Sequence, residues 1–318
     1  MPARPIFRDV IDPNSVAVRQ GLVAKIQQEL APHGSLLTYT ANPGHPFAFI
    51  MSQDTPLFED LLRDTDSKVG YLMLNSPGGD PNASEKLLIM CRERFTDGFF
   101  VIVPNYAKSA ATMLALGSDK IFMGYLAELG PVDPQLQVSS LPGPSLPARS
   151  FIDGLENIRK RVKEDGDPVQ MYFPMLSQIR PEIIAICQSA IEDSRSFAEK
   201  WLKKYMLKDN PKQAEQVAEW LSTGEKYRSH GKVIGFQEAK DVLKLNVREI
   251  DKESELWEHI WELYVRSIQQ LQISHGAKLF ESERVSLTMN IEASPSPSRE
   301  TQQPPHQPSQ RPQQLHAA

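Results

Sequence analysis

Short apolar runs alternate along the first half of the chain with stretches of helical periodicity. The apolar runs predict strands over residues 47–52, 69–76, 98–104 and 120–124. Apolar positions spaced three and four apart predict helices over residues 14–30 and 55–64, from about Pro81, and from Ser109 onward. Strands that alternate with helices form parallel sheets covered on both faces. The pattern therefore predicts an α/β fold with a parallel sheet.

The second half of the chain is mostly helical in pattern. Helices are predicted over residues 150–166, 168–178, 181–207 and 253–272, and alternation over 277–294 predicts a strand pair. The last segment is rich in Pro, Gln and Ser and is predicted to be disordered. The expected organisation is an N-terminal helical segment (1–40), a main α/β domain (41–250), a C-terminal helix and strand pair (251–294) and a disordered tail (295–318).

Composition and charge are those of an ordinary soluble globular protein. Of the 318 residues, 40% are hydrophobic and 24% charged, and the formal net charge of −5 does not suggest a nucleic-acid partner. The two cysteines, Cys91 and Cys187, suggest no disulfide scaffold and fit a reducing cytoplasm. The sequence shows no signal peptide, no apolar run of membrane-spanning length and no zinc-ligand spacing. We therefore expect a cytoplasmic protein without a metal, a cofactor or a transmembrane segment.

Two turns that follow successive predicted strands carry the candidate chemistry. The first is LNSPGGD (residues 74–80), in which Gly78 and Gly79 can adopt backbone conformations closed to other residues. Paired glycines at a strand end leave N–H groups free to face a ligand, which is how an oxyanion hole is built. Taken alone, such a segment is more often an ordinary turn.

The second turn places Ser109 at the start of a helix of small residues, 30 positions after Gly79. Unpaired N–H groups at a helix start favour negative charge, and the alanines after Ser109 allow a substrate backbone to come close. Serine is also a preferred helix N-cap, so both a nucleophile and a cap remain open interpretations. The order of the two turns at neighbouring strand ends favours the nucleophile.

These two turns, with the surrounding segment from Leu74 to Leu136, resemble the core of the ClpP/crotonase-fold serine peptidases. The segment is most similar to the serine dehydrogenase proteinase family, soluble relatives of signal peptide peptidase A (SppA). The resemblance extends over roughly residues 40–250 and includes GEKYRSHGKVIGFQEAKDVLKLNV (224–247). It makes 41–250 the protease domain, and it implies repeated ββα units around a parallel sheet, followed by C-terminal helices.

The resemblance also implies a chemistry and an assembly. Ser109 matches the nucleophile, Gly78 and Gly79 match the oxyanion-hole glycines, and Ala110 supplies a further oxyanion N–H. The implied reaction is hydrolysis of peptide bonds in a peptide or protein substrate through an acyl-enzyme. The implied assembly is a homo-oligomer.

The general base is the open question, because a serine at neutral pH needs one. ClpP uses a histidine, and the matching position here is Asp133; SppA-like enzymes use a lysine, and the matching position here is Arg149. Arginine keeps its proton and cannot act as a base. A buried carboxylate can, so Asp133 is a candidate base or a group that orients the base, although a turn cap is the commoner role.

Four further residues carry ionisable groups that bear on the base. Lys108 adjoins Ser109, but neighbours at a helix start usually point apart. Lys160 and Lys163 lie three to four turns beyond Arg149, on what is expected to be a solvated face. His230 lies in a late loop and is able to approach from that side or from a neighbouring subunit. The base is left unassigned among these residues.

Three functions are therefore compared. The first is a serine peptidase acting through Ser109. The second is a catalytically weak or inactive oligomeric peptide-binding or scaffold protein of the same fold, which the missing base favours. The third is a crotonase-type acyl-CoA enzyme, ranked last because a serine at this helix start is a protease feature. Fold alone does not decide between them.

Overall fold

A central sheet organises the fold of the computed structural model, which describes residues 15–30, 34–137, 145–177 and 180–290. Its strand order within these residues is β11-β10-β1-β2-β3-β5-β9. Strands β1, β2, β3, β5 and β9 run parallel, while β10 and β11 add an antiparallel edge beside β1. The predicted α/β class with a parallel sheet is confirmed.

The strands of this sheet are β1 (Ser35–Ala41), β2 (Val69–Asn75), β3 (Gly98–Val103), β5 (Lys120–Met123), β9 (Val247–Glu249), β10 (Lys278–Glu281) and β11 (Ser286–Met289). Four two-residue strands form small separate pairs: β4 (Tyr106–Ala107) with β6 (Glu128–Leu129), and β7 (Gln135–Leu136) with β8 (Leu146–Pro147). The first of these pairs lies at the carboxyl end of β3, where the chain has just left the sheet.

The helices of the described residues are α1 (Val16–Leu30), α2 (Asp54–Arg63), α3 (Pro81–Arg94), α4 (Ala110–Leu116), α5 (Ala148–Lys160), α6 (Phe173–Leu176), α7 (Pro181–Lys204), α8 (Pro211–Ser222) and α9 (Glu255–Ser274). Two π-helical turns (Arg161–Asp165 and Glu238–Val242) and one 3₁₀ turn (Val169–Tyr172) supplement them. Asp80 caps α3 and Ser254 caps α9, each by accepting a hydrogen bond from a backbone N–H in the first turn.

Both faces of the sheet are covered, which explains why its strands read as continuous apolar runs. Neighbouring residues of β1 separate to opposite sides: Leu37 joins the larger core with α2, α3 and α4, and Leu36 joins the core with α1 and α9. Trp257 of α9 is buried in the second core, which also contains Tyr71 of β2. The central strands therefore leave no face for solvent.

Several element predictions were wrong or incomplete. Residues 47–52 form no strand; only Ile50 makes an isolated bridge, to Gly79. Strand β1, helix α8 and strand β9 were not predicted. The strand pair predicted over 277–294 is present as β10 and β11, and residues 291–294 and the predicted tail lie outside the described residues.

A fully buried ion pair joins β10 to the start of α2. Lys278 Nζ lies 2.5 Å from Asp54 Oδ1, and neither side chain is exposed to solvent. Asp54 Oδ2 also accepts hydrogen bonds from the Tyr39 hydroxyl (2.8 Å) and the Met51 N–H (3.0 Å). Lys278 Nζ also donates to the Phe49 carbonyl, at 2.7 Å. Burial lowers the pKa of Lys278, and Asp54 opposes that shift.

We expect the substitution Lys278→Met to lower the free energy of unfolding by about 3–5 kcal/mol, because it leaves the buried Asp54 carboxylate without its cation. Urea unfolding followed by circular dichroism measures the loss. Arg63→Ala, which removes an exposed ion pair to Glu59, is the control and should leave stability almost unchanged. Equal unfolding midpoints for the two variants would show that the buried pair is dispensable.

Candidate functional site

Ser109 has a strained backbone and an uncommitted hydroxyl. Its dihedrals are φ 49° and ψ −121°, a positive φ that non-glycine residues rarely adopt and that costs about 1–3 kcal/mol. It occupies the N-cap position of α4, yet its side chain makes no cap hydrogen bond. The cap interpretation therefore lacks the bond that would justify it, and the strain at this residue needs another explanation.

Helix α4 begins directly after Ser109 and holds the backbone at that point in the core. All seven of its residues are buried. The Ser84 hydroxyl donates to the Ala110 carbonyl (2.6 Å), and Thr112 joins the Ala107 carbonyl (2.6 Å) to the Gly130 N–H (3.0 Å). The packing and these bonds hold the strained turn in place.

One of the two glycines lies directly against the serine, and the other lies against Ile50. Gly78 and Gly79 have φ values of 101° and 148°. A Cβ on Gly78 would lie 2.6 Å from the Lys108 carbonyl oxygen and 2.7 Å from Ser109 Cβ, so only glycine allows this approach. A Cβ on Gly79 would overlap the backbone of Ile50. The turn and the serine thus form one contiguous surface, although 30 residues separate Gly79 from Ser109.

Backbone hydrogen bonds hold the glycine turn from outside. Ile50 donates its N–H to the Gly78 carbonyl (2.7 Å) and accepts from the Asp80 N–H (2.9 Å). Gly78 donates its own N–H to the Ser76 hydroxyl at 3.2 Å. The N–H groups of Gly79 and Ala110 have no partner among the described residues, and Ala110 directly follows the serine.

Four chain segments lie side by side at this end of the sheet. Ser76 bridges to Ala107 of β4, Ala107 pairs with Leu129 of β6, and Leu129 pairs with Ile234 in the antiparallel sense. Both hydrogen bonds of the last pair form, at 2.9 and 3.1 Å. The order brings the glycine turn, the serine and the late loop of the chain to one place.

Lys108 points away from Ser109. Its Nζ donates to the carbonyls of Leu129 and Lys232, each at 3.2 Å, and lies 3.2 Å from a Glu128 carboxylate oxygen. The ammonium group is therefore occupied in tying the late loop and β6 to the residue before the serine. This geometry agrees with the expectation that neighbours at the helix start diverge.

The other basic candidates lie elsewhere. Arg149 pairs with Asp153 (2.5 Å) and Glu225 (3.5 Å) at a cleft of about 450 Å³ whose lining also includes Asp133. Lys160, at the end of α5, is exposed and lies 3.9 Å from Glu164. Lys163 is exposed in the π-helical turn that follows. Neither lysine contacts the serine within the described part of the chain.

Asp133 and His230, two separate candidates in the sequence, have side chains in contact. His230 Nδ1 lies 2.8 Å from Asp133 Oδ1, and the second carboxylate oxygen accepts from the Gln135 amide at 2.8 Å. The aspartate side chain is 6% exposed and the histidine side chain 31%. The sequence could not reveal this pair, because 97 residues separate its members.

The described residues contain neither a metal-ligand group nor a membrane-spanning helix. Over residues 15–30, 34–137, 145–177 and 180–290, no group of three or more metal-ligating side chains is present. None of the helices in these ranges combines the length and apolarity needed to cross a lipid bilayer.

We expect Gly78→Ala to destabilise the protein by about 1–3 kcal/mol, because a Cβ there meets the Lys108 carbonyl at a positive φ. Gly21→Ala is the control, since Gly21 lies in α1 with no atom within 4 Å of its Cβ position. That change should stabilise by about 0.5–1 kcal/mol. Thermal unfolding compares the two, and a neutral Gly78→Ala would contradict the close approach.

Comparisons with known proteins find two distant relatives and a solved structure of low similarity. Two uncharacterized proteins of Methanocaldococcus jannaschii, MJ1495 and MJ0137, are 26% and 29% identical over 188 and 203 residues, which is 59% and 63% of this chain. The matches span only 56% and 59% of those relatives. A solved structure of a serine-to-alanine mutant of the 1510-N membrane-bound stomatin-specific protease aligns with a TM-score of 0.41 at 15% identity, over 66% of this chain and 79% of that one.

A family model settles the relationship that the sequence motifs predicted. It describes the ClpP-like SDH-type serine proteinases, and it matches residues 46–275, well over half of the chain. The match includes the glycine turn, Ser109, Asp133 and His230. The chain belongs to the ClpP-like SDH-type serine proteinase family.

Proposed function

We propose that this protein is a serine peptidase in which Ser109 attacks the carbonyl carbon of a peptide bond. One observation carries the proposal: the serine holds a strained backbone conformation, with an uncommitted hydroxyl, against Gly78, a glycine of positive φ. Strain of this kind persists where the surrounding structure enforces it, and it concentrates at functional sites. Membership of a serine proteinase family supports the same reaction.

The proposed oxyanion hole uses N–H groups of the glycine turn and of the first residue of α4. As the Ser109 Oγ–carbon bond forms, the carbonyl oxygen gains negative charge, and the N–H groups of Gly79 and Ala110 are available to donate to it. Gly78 contributes differently, because its N–H already donates to Ser76 and its missing side chain permits the close approach. Collapse of the intermediate expels the amine and leaves an acyl-enzyme, which water then hydrolyses.

A second function has one observation in its favour. Among the residues that the structure describes, no side chain hydrogen-bonds the Ser109 hydroxyl. A family member without a working base would be weak or inactive, and it would act as an oligomeric peptide-binding or scaffold protein. Both functions use the same surface, so a test must detect reactivity and not only binding.

We expect a fluorophosphonate probe to label the native protein on Ser109, which mass spectrometry of the adduct locates. Ser109→Ala should abolish the label and lower peptidase activity by at least about 10³-fold, because it removes the nucleophile. Ser177→Ala is the matched control, since this exposed serine directly follows helix α6. An unlabelled native protein without peptidase activity would favour the scaffold function.

We also expect assembly into homo-oligomers, as the family resemblance implies. Light scattering coupled to size-exclusion chromatography, over a range of protein concentrations, gives the mass of the particle. A strict monomer at every concentration would contradict this expectation.

A further inference from the structure

The contact between His230 and Asp133 supplies what the proposed site lacks. We propose that His230 is the general base for Ser109 and that Asp133 is the positioning residue that orients the imidazole. This inference rests on the proposed peptidase function. Its geometry comes from strand pairing, from the anchoring of the His230 loop and from the hydrogen bonds of the pair.

Strand pairing brings the segment that leads to Asp133 against the residue that precedes the serine. Ala107 pairs with Leu129 in the parallel sense, so the chain beyond Leu129 runs alongside Lys108 and Ser109. A Cβ on Gly130 would meet the Lys108 side chain at 2.8 Å, which confirms that the two segments stay in contact past the pair. Asp133 follows three residues after Gly130, on the segment that passes the serine.

An isolated antiparallel bridge joins the segment of the histidine to the segment of the aspartate. Leu129 and Ile234 form this bridge with two backbone hydrogen bonds. Beyond it the backbones separate, since Val132 donates to the Leu221 carbonyl and the histidine lies in a turn. The side chains of Asp133 and His230 close the remaining gap with their contact at 2.8 Å.

The loop that carries His230 is anchored beside the serine. Lys108, the residue before Ser109, donates to the Lys232 carbonyl two positions from the histidine. Tyr227, three positions before it, is buried, and its hydroxyl donates to Glu238 at 2.6 Å. A base needs such a fixed position, because proton transfer depends on hydrogen-bond geometry with the nucleophile.

The hydrogen bonds of the pair define distinct roles. The Gln135 amide donates to one oxygen of Asp133, and His230 Nδ1 lies 2.8 Å from the other. A carboxylate oxygen only accepts, so we assign the proton of this contact to Nδ1, and the aspartate orients the imidazole ring. An imidazole that donates through Nδ1 carries its lone pair on Nε2. His230 Nε2 has no partner among the described residues and is free to accept the serine proton.

The proton then follows a closed path. As the Ser109 Oγ bonds to the carbonyl carbon, the hydroxyl proton moves to His230 Nε2 and the carbonyl π pair becomes the oxyanion. The imidazolium, stabilised by Asp133, returns the proton to the leaving amine as the carbon–nitrogen bond breaks. A water molecule repeats the sequence on the acyl-enzyme, so His230 and Ser109 end as they began. Ser109 and His230 are not hydrogen-bonded here, and such bonds often tighten only when substrate binds.

The test measures the rate of fluorophosphonate labelling at Ser109 in the full chain. His230→Ala should slow labelling on the order of 10²–10⁴-fold, and Asp133→Asn should cause a loss of similar order. Added imidazole should restore a measurable part of the His230→Ala rate and none of the Ser109→Ala rate. Unchanged thermal unfolding of His230→Ala separates a chemical role from a structural one.

The control is His259→Ala, which breaks another histidine–carboxylate contact of 2.8 Å, to Glu29, far along the chain on α9. It should label at the native rate. Native-rate labelling of His230→Ala, or a slow rate that imidazole does not restore and that accompanies a lower melting temperature, would overturn the role of His230 and leave the peptidase proposal standing. A native protein that is never labelled would overturn both.

Discussion

Asp54 is a carboxylate without access to solvent, and three chain segments meet on it. Tyr39 of β1, the N–H of Met51 and the ammonium group of Lys278 all donate to its oxygens. Lys278 also holds the Phe49 carbonyl, so the segment before α2 is fixed on both sides of Ile50. Ile50 in turn makes two backbone hydrogen bonds to the glycine turn. Loss of either partner would leave the other charge buried and uncompensated, which is strongly destabilising. The ion pair and the contacts around it therefore depend on one another.

The same chain of contacts explains how a strained serine persists. Ser109 has a positive φ, and Gly78 approaches it too closely for any side chain. Each feature is unfavourable alone. They coexist because α4 is buried along its whole length and because Ile50 holds the other side of the turn. The contact between the glycine turn and the serine, which is half of the proposed site, is therefore formed by the fold itself.

Local sequence signals predicted that the glycine turn and the serine lie together, as Gly78 and Ser109 do, whereas the scaffold was predicted only in part. The catalytic roles of these residues stay predictions. Glycine pairs and a serine before small residues are local signals, and they mark a turn whose partner lies on the next strand. Strand β1 was missed because Thr38 and Thr40 are buried in it, with hydroxyls that have no hydrogen-bond partner in the described structure, so its pattern does not look like a core strand. The apolar run at 47–52 gave the opposite error, because it predicted a strand where none forms. Its backbone bonds to the side chains of Lys278 and Asp54 instead of to a neighbouring strand along its length.

The Asp133–His230 half of the proposed site could not be predicted from a local sequence pattern, because 97 positions separate the two residues. Lys108 is adjacent to the serine in sequence, yet its ammonium group holds two carbonyls instead of facing the hydroxyl. Asp133 and His230 meet on two segments that the Leu129–Ile234 bridge joins. In the proposed site, helix α4 and the sheet hold the serine, while hydrogen bonds of Lys108 and Tyr227 hold the loop of the histidine. Adjacency in the sequence therefore does not decide which ionisable group lies near the proposed nucleophile.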